Sequence, residues 1–449
     1  MKRMLPLCLC LSLITPFATA PAHAETAASE ARLAEVEKKL DAALAEIARM
    51  QTGDGSVDTA TFRSRLGFAP AASKVYGVAS GLSIGGYGEM LLEKADRRRE
   101  NDALTGRAPS LDLYRVVFYI GHKFNDELLF NSELEWEHSG VFDEAKVKVD
   151  PLSGEGEAEL SGESLVEFAY LDWSRHRAFG VRAGKVLVPM GLVNEQHEPP
   201  VYLGARRPDV ERNLVPSTWS ANGAGVFGEL ANGLEYRAYV LEGLDGRGLS
   251  AGSAIRGGRQ GGSASVTTHP AFAARIDWRG TAGLVLGVSG YTADTWQDAQ
   301  PFRTHLSPRV SIVDAHARWQ WRGLQTAGLW VQGSLGEAGA LSDALGLLGD
   351  SRLGERFFGG YLEAAYDVLP LAYPGTSYAF MPYARFESYD TQDYVPGGSE
   401  AAANERTLLT VGAAFKPHPN VIVKADRQQR SNAADTDASQ WNVALGWMF

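Results

Sequence analysis

The stretch that decides the fold is Gln440-Trp441-Asn442-Val443-Ala444-Leu445-Gly446-Trp447-Met448-Phe449. Trp441, Val443, Leu445, Trp447 and Phe449 fall on one face of an extended chain, and apart from Met448 the other face is small or polar. That period of two is a strand. Working outward, the same alternation recurs with charge on the second face. Phe272, Ala274, Ile276 and Trp278 oppose Arg275, Asp277 and Arg279, and Val313, Ala315, Ala317, Trp319 and Trp321 oppose Asp314, His316, Arg318 and Gln320. Leu128, Phe130, Leu134 and Trp136 likewise oppose Asn131, Glu133, Glu135 and Glu137. Large apolar residues on one face and charges on the other suit a wall between lipid and a wet lumen.

Read this way, sixteen strands are expected at 82–92, 111–123, 127–137, 163–173, 178–187, 222–230, 233–242, 270–278, 282–291, 309–319, 323–334, 357–367, 376–388, 405–415, 420–429 and 439–449. The connections between them alternate long and short. Phe124-Asn125-Asp126, Ala231-Asn232 and Arg279-Gly280-Thr281 are tight and use turn-forming residues. Residues 93–110, 138–162, 188–221 and 243–269 are long. An outer-membrane barrel has this asymmetry, with short turns on the periplasmic side and long loops outside. A β-propeller would show a repeat of ~40–50 residues, and none is found. A soluble sandwich would bury few inward charges. The fold class expected is all-β: a 16-stranded antiparallel transmembrane β-barrel over 81–449.

The 449 residues carry a net charge of −11 and 49 glycines. The acidic balance opposes nucleic-acid binding, which needs a basic surface. Residues 1–24 read as a signal peptide: Lys2 and Arg3, an apolar run from Leu5 to Phe17, then Ala22-His23-Ala24. Both cysteines, Cys8 and Cys10, lie in it, so no disulfide or thiolate metal site is expected beyond it. In residues 25–50, Leu33, Val36, Leu40, Ala43, Ile47 and Met50 follow 3-4 spacing. That predicts a short periplasmic helix, either self-associating as a coiled coil or docked on the chain's own body. Residues 51–80, mixing Gly, Ser, Ala and Thr, are read as a linker.

Several stretches carry a resemblance. Gly184-Lys185-Val186-Leu187-Val188-Pro189-Met190-Gly191 is followed by Asn194-Glu195-Gln196-His197-Glu198-Pro199-Pro200, Arg206-Arg207-Pro208 and Val215-Pro216-Ser217-Thr218-Trp219. Gly86-Tyr87-Gly88-Glu89, Ser132-Glu133-Leu134-Glu135-Trp136-Glu137-His138 and Ile255-Arg256-Gly257-Gly258-Arg259-Gln260 belong to the same pattern. Together they resemble the phosphate-selective porin O and P family of Gram-negative outer membranes, well over residues 82–300 and by architecture elsewhere. The resemblance implies a homotrimeric channel passing small hydrophilic solutes, with anion or phosphate preference as the finer expectation. It also implies that Trp447 and Phe449 form the signal read by the outer-membrane assembly machinery.

The longest connection, 188–221, follows the fifth strand, from which porins fold a loop into the lumen. Its candidate constriction residues are Glu195, His197, Glu198, Arg206, Arg207 and Arg212. Arginine suits phosphate or carboxylate because its planar fork donates twice. The alternative is that these arginines pair with neighbouring acids merely to hold the loop. By strand phase Arg115, Arg182, Arg237, Arg275, Arg318, Arg385 and Lys424 face the lumen, together with Glu133, Glu135, Glu167, Asp277, Glu363, Glu387 and Asp426. No cofactor motif or catalytic triad is present in the sequence, and Glu195-x-His197-Glu198 is a weak metal signal with no second His at helical or strand spacing. The Gly-rich stretch 243–263 reads as a flexible outer loop, and Arg97-Arg98-Arg99 as a solvated loop tip or a contact to anionic lipopolysaccharide. A non-conducting structural or adhesin barrel remains the alternative to a porin.

Overall fold

The computed structural model describes residues 64–139, 162–297 and 306–449, the backbone pairing of Ala145–Lys148 with Glu157–Leu160, and four isolated helical positions, Val36, Lys38, Lys39 and Asp41. The expected signal peptide, the rest of the 25–50 helix and the first part of the linker lie outside the described residues.

The strands are β1 (Gly81–Ala95), β2 (Ser110–Lys123), β3 (Leu128–Glu137), β4 (Ala145–Lys148), β5 (Glu157–Leu160), β6 (Glu163–His176), β7 (Phe179–Leu187), β8 (Ser220–Glu229) and β9 (Leu234–Leu241). They continue with β10 (Ala271–Trp278), β11 (Leu284–Asp294), β12 (Arg309–Trp321), β13 (Leu324–Leu335), β14 (Arg356–Tyr366), β15 (Ala379–Tyr394), β16 (Glu405–His418), β17 (Val421–Asn432) and β18 (Gln440–Met448). All but β4 and β5 form one closed barrel of antiparallel neighbours, the sixteen strands expected. β4 and β5 pair only with each other, inside the β3–β6 connection.

The seam closes where the deciding stretch meets the first strand, from Tyr87↔Met448 to Ala95↔Gln440. Beyond it, Gly86 and Phe449 exchange two backbone hydrogen bonds, both 2.9 Å. The alternation read from the sequence is the burial pattern. Trp441, Val443 and Leu445 are 56%, 41% and 38% exposed, while Gln440, Asn442 and Ala444 are buried. Leu82, Phe272, Trp330 and Leu362 carry the exposed apolar face around the circumference. An apolar surface this extensive is built to meet lipid, since soluble proteins expose only small patches. No described helix is long and apolar enough to cross a membrane.

The tight connections have local causes. After β2 the Asn125 side chain accepts from the N–H groups of Glu127 and Leu128, both at 2.8 Å. Between β12 and β13, Arg322 and Gly323 both have positive φ (46° and 85°), as a two-residue hairpin requires. Strand ends depart from expectation at both the long-loop and the short-turn ends. β15 runs to Tyr394, which pairs with Arg356 past an irregularity in which residues 391–393 of β15 lie opposite the single residue Phe357 of β14.

Two expectations are corrected. Between Gly67 and Val75 the expected linker is packed inside the barrel. Phe68, Ala71, Ala72 and Val75 are buried, and Lys74–Gly77 is a 3-10 turn. Small residues allow this segment to lie close to the inward wall. The Gly-rich stretch 243–263 is not a free outer loop: Leu244, Leu249 and Ile255 bury into the same core. The Gly248 and Gly257 backbones pass so close that neither position has room for a side chain.

Candidate functional site

After β7 the chain leaves the wall and crosses the lumen until β8 begins at Ser220. The neck of this inserted loop is tied by Asn194. Its amide donates to the carbonyls of Val188 (2.7 Å) and Trp219 (2.9 Å), and its oxygen accepts from the Trp219 N–H (2.7 Å). Backbone groups inside a barrel need partners, and the wall supplies them around its circumference. Asp314, Asp426 and Glu387 accept from the N–H groups of Gly191, Ala205 and Val210. Lys424 donates to the carbonyls of Tyr202 and Gly204, both at 2.8 Å, and Arg385 to those of Leu203 and Arg206. Arg275 donates to the Gly191 carbonyl. Glu211, on the short helix Asp209–Asn213, accepts from the N–H groups of Leu192 and Val193 and from the Tyr361 hydroxyl.

The candidates from the sequence therefore divide. Glu195 lies between Arg237 (3.3 Å) and Arg275 (3.6 Å). His197 bridges Glu133 (2.9 Å) and the Asn194 carbonyl (2.7 Å). Glu198 accepts from the N–H groups of Ala71 and Ala72, which binds the inserted loop to the segment beneath it. Burial pushes the Glu198 carboxyl up to about 7, against the pull of those two N–H groups. These three anchor the loop. Among the wall cations, Arg182 grips the lower segment, donating to Asp172 and to the Tyr76 hydroxyl, with the Phe68 ring against its guanidinium. Arg115 sits among Glu89, Glu135 and Glu137. Arg318 donates to the Gln196 side chain.

Arg206, Arg207 and Arg212 instead line a cavity of about 360 Å³ between the inserted loop and the wall. Arg256 and Arg259, from the β9–β10 connection, complete this cationic side. The rest of the lining includes Glu89, Glu137, Glu163, Glu167 and Lys185, together with Leu91, Leu165 and Tyr114. Arg206 pairs with Glu93, and Arg212 with Asp209 at 3.3 Å. Burial and the charges of Arg212 and Arg430 lower the Arg206 guanidinium to about 9. Asp209 resists burial and stays ionised well below the usual carboxylate range because Arg430, Arg212 and Arg206 surround it.

Arg207, Arg256 and Arg259 differ from these. They donate to carbonyl oxygens, of His197, Arg212, Arg256 and Thr218, and among the described residues none of the three pairs with a carboxylate. Burial and the neighbouring Arg259 and Arg212 lower Arg256 to about 10. Burial also lowers Arg259, opposed by Glu167, Glu137 and Glu163 across the cavity. Sequence reasoning missed Arg256 and Arg259 as lining residues because it placed them on a free loop. The signal available was their position within the Arg256-Gly257-Gly258-Arg259 motif. Among the described residues no cluster of His, Cys, Asp and Glu could hold a metal ion.

No protein-family model matches the chain. Solved structures of similar fold include OmpF of Salmonella typhi in complex with daunomycin, at 11% identity and TM-score 0.52, covering 83% of this chain and 98% of that one. The outer membrane channel DcaP of Acinetobacter baumannii matches at 11% identity and TM-score 0.50, covering 82% and 97%. A loop-deletion mutant of OmpT, an outer membrane protein of Vibrio cholerae, matches at 10% identity and TM-score 0.50, covering 83% and 100%. These identities speak for the fold alone. A protein of Aquifex aeolicus (strain VF5), described only as an uncharacterized protein, is 33% identical over 397 residues, 86% of this chain and 84% of its own length. The chain belongs to one family with that Aquifex aeolicus protein, and its fold is that of the outer-membrane porins.

Proposed function

We propose that this protein is an outer-membrane porin through which small hydrophilic solutes diffuse, with a preference for anions. The observation that supports this is the set of three guanidiniums, Arg207, Arg256 and Arg259, lining a lumenal cavity without carboxylate partners. Selectivity is set by fixed charge in a narrow, partly dehydrated space rather than by net charge. The overall charge of −11 does not bear on it, since wall acids such as Asp314, Asp426 and Glu387 are occupied with loop N–H groups. Phosphate fits the same chemistry, in keeping with the resemblance to the phosphate-selective porins.

The same reading makes residues 1–24 a cleaved leader and places the helix at 25–50 in the periplasm, where it helps hold three copies together. Its partners are then outer-membrane lipid and lipopolysaccharide, the assembly machinery that reads Trp447 and Phe449, and the solutes themselves.

The test is the reversal potential of purified protein in planar bilayers under a salt gradient, with chloride and then phosphate. Anion preference is expected, and Arg207→Glu and Arg259→Glu should each shift the potential towards cations. Unchanged potentials would remove these arginines from selectivity. A non-conducting structural barrel is favoured by one observation: residues 64–77 and the inserted loop together fill much of the lumen. Absence of any conductance would support that alternative.

A further inference from the structure

The lumenal cavity is charged on two sides that do not neutralise each other. Arg256 and Arg259 stand on one side. On the other stand Glu163, exposed at the start of β6, and Glu167. Neither arginine makes an ion pair with either acid, although all four line the same space. Arg259 is already fixed by its own bonds to the carbonyls of Arg256 (2.9 Å) and Thr218 (2.8 Å). Arg256 is fixed by the Arg212 carbonyl (2.7 Å). The backbone therefore holds the guanidiniums back from the acids, and the gap between the two charged faces is built in.

Lys185 also lines this space, its ammonium donating to the Val166 carbonyl, and Arg115 lines it among Glu89, Glu135 and Glu137. Leu91, Leu165 and Tyr114 offer apolar surface, and Ser217, Ser220 and Ser263 offer hydroxyls. A monoanion seated here gains the arginines and is repelled by the glutamates. A cation has the opposite difficulty, and an uncharged solute gains from neither face. A molecule carrying an ammonium at one end and a carboxylate at the other satisfies both, with a short, weakly polar spine against the leucines.

We propose that this cavity is a binding site for zwitterionic solutes of the amino-acid and short-peptide class, the ammonium towards Glu163 and Glu167 and the carboxylate towards Arg256 and Arg259. The proposal deepens the porin reading and rests on it for transport, though not for binding.

The experiment uses triglycine with two relatives of nearly equal size: N-acetyltriglycine, which lacks the ammonium, and triglycine amide, which lacks the carboxylate. Equilibrium binding to the full-length protein in detergent is measured by calorimetry, and block of single-channel current is measured in planar bilayers. Triglycine is expected to bind up to about fivefold more tightly than either relative, the difference one partly screened ion pair supplies. Glu163→Gln should remove its advantage over N-acetyltriglycine, and Arg259→Gln its advantage over triglycine amide. Equal or tighter binding of N-acetyltriglycine would overturn the proposal and leave a plain anion site. Binding without any conductance would uphold the site and overturn the porin reading. Conductance with no measurable binding or block by triglycine would do the reverse.

Discussion

Replacing Phe68 by Ala should release the segment that lies inside the barrel beneath the inserted loop. Phe68 is 1% exposed, with its ring centroid 5.7 Å from that of Phe168 and 5.8 Å from that of Tyr170. The Arg182 guanidinium lies 4.8 Å from the ring centroid. Truncating a buried phenylalanine costs about 3–5 kcal/mol. The ladder of the barrel does not include residue 68, so the loss falls on docking of residues 64–77 rather than on the wall. At ~1.4 kcal/mol per factor of ten, the docked population should fall by about two to three and a half orders of magnitude relative to the undocked one. Both native cysteines, Cys8 and Cys10, can be changed to serine, and Ser73→Cys then adds one thiol at a position only 2% exposed. Labelling by a water-soluble maleimide reports local opening. It should be slow with Phe68 present and at least about a hundredfold faster with Phe68→Ala, while the folded barrel still resists sodium dodecyl sulfate on a gel. Equal labelling rates in the two backgrounds would refute the reasoning, as would loss of the whole barrel on substitution.

Glu198 should make that docking sensitive to pH. Its carboxyl is raised to about 7 when docked, above the free value of ~4.3, so the docked state binds more protons. Docking is then strongest below the free value and weakens as pH rises towards 7, by at most about 3 kcal/mol. Labelling of Ser73→Cys, corrected for thiolate fraction, should climb over that interval, and Glu198→Gln should flatten the climb. On the outer face Leu445→Arg should destabilise the barrel in lipid by up to ~2–4 kcal/mol in urea unfolding, the cost of a charge at mid-depth. Asn194→Ala should leave the Trp219 N–H and two carbonyls at the loop's neck without their present partners, at ~1–3 kcal/mol for each group left unsatisfied. Limited proteolysis of detergent-solubilised protein should then cut within 188–219 where the unaltered protein resists.

The wall was legible because its rule is local. In a strand each residue's face is set by parity, and lipid and lumen select different side chains, so Trp441 against Asn442 or Ile276 against Asp277 announces the fold with no knowledge of partners. The lumenal contents follow no such rule. Residues 64–80 are rich in Ala, Ser and Gly, which is equally the composition of a tether and of a segment that must fit against an inward wall. Leu66, Phe68, Val75, Tyr76 and Val78 hinted at burial. The stretch 243–263 was misread for the same reason: glycines that permit mobility also permit the close backbone approach of Gly248 to Gly257. Phase did place Arg385 and Lys424 inward, but not their ties to carbonyls of residues 203–206, nearly two hundred or more positions away in sequence.

The same limit applies within the site, where the sequence offers Arg206 and Arg207 as equals. Arg206 points to Glu93 and its charge is largely answered, whereas Arg207 donates to the His197 carbonyl and keeps its charge facing the cavity. A carbonyl orients a guanidinium without cancelling it; a carboxylate does both. An arginine can act on a passing solute only in the first case. Which case holds depends on what the opposite wall presents at that height of the barrel. The functional content of the lumen is therefore carried less by how many charges line it than by which of them are held through carbonyls.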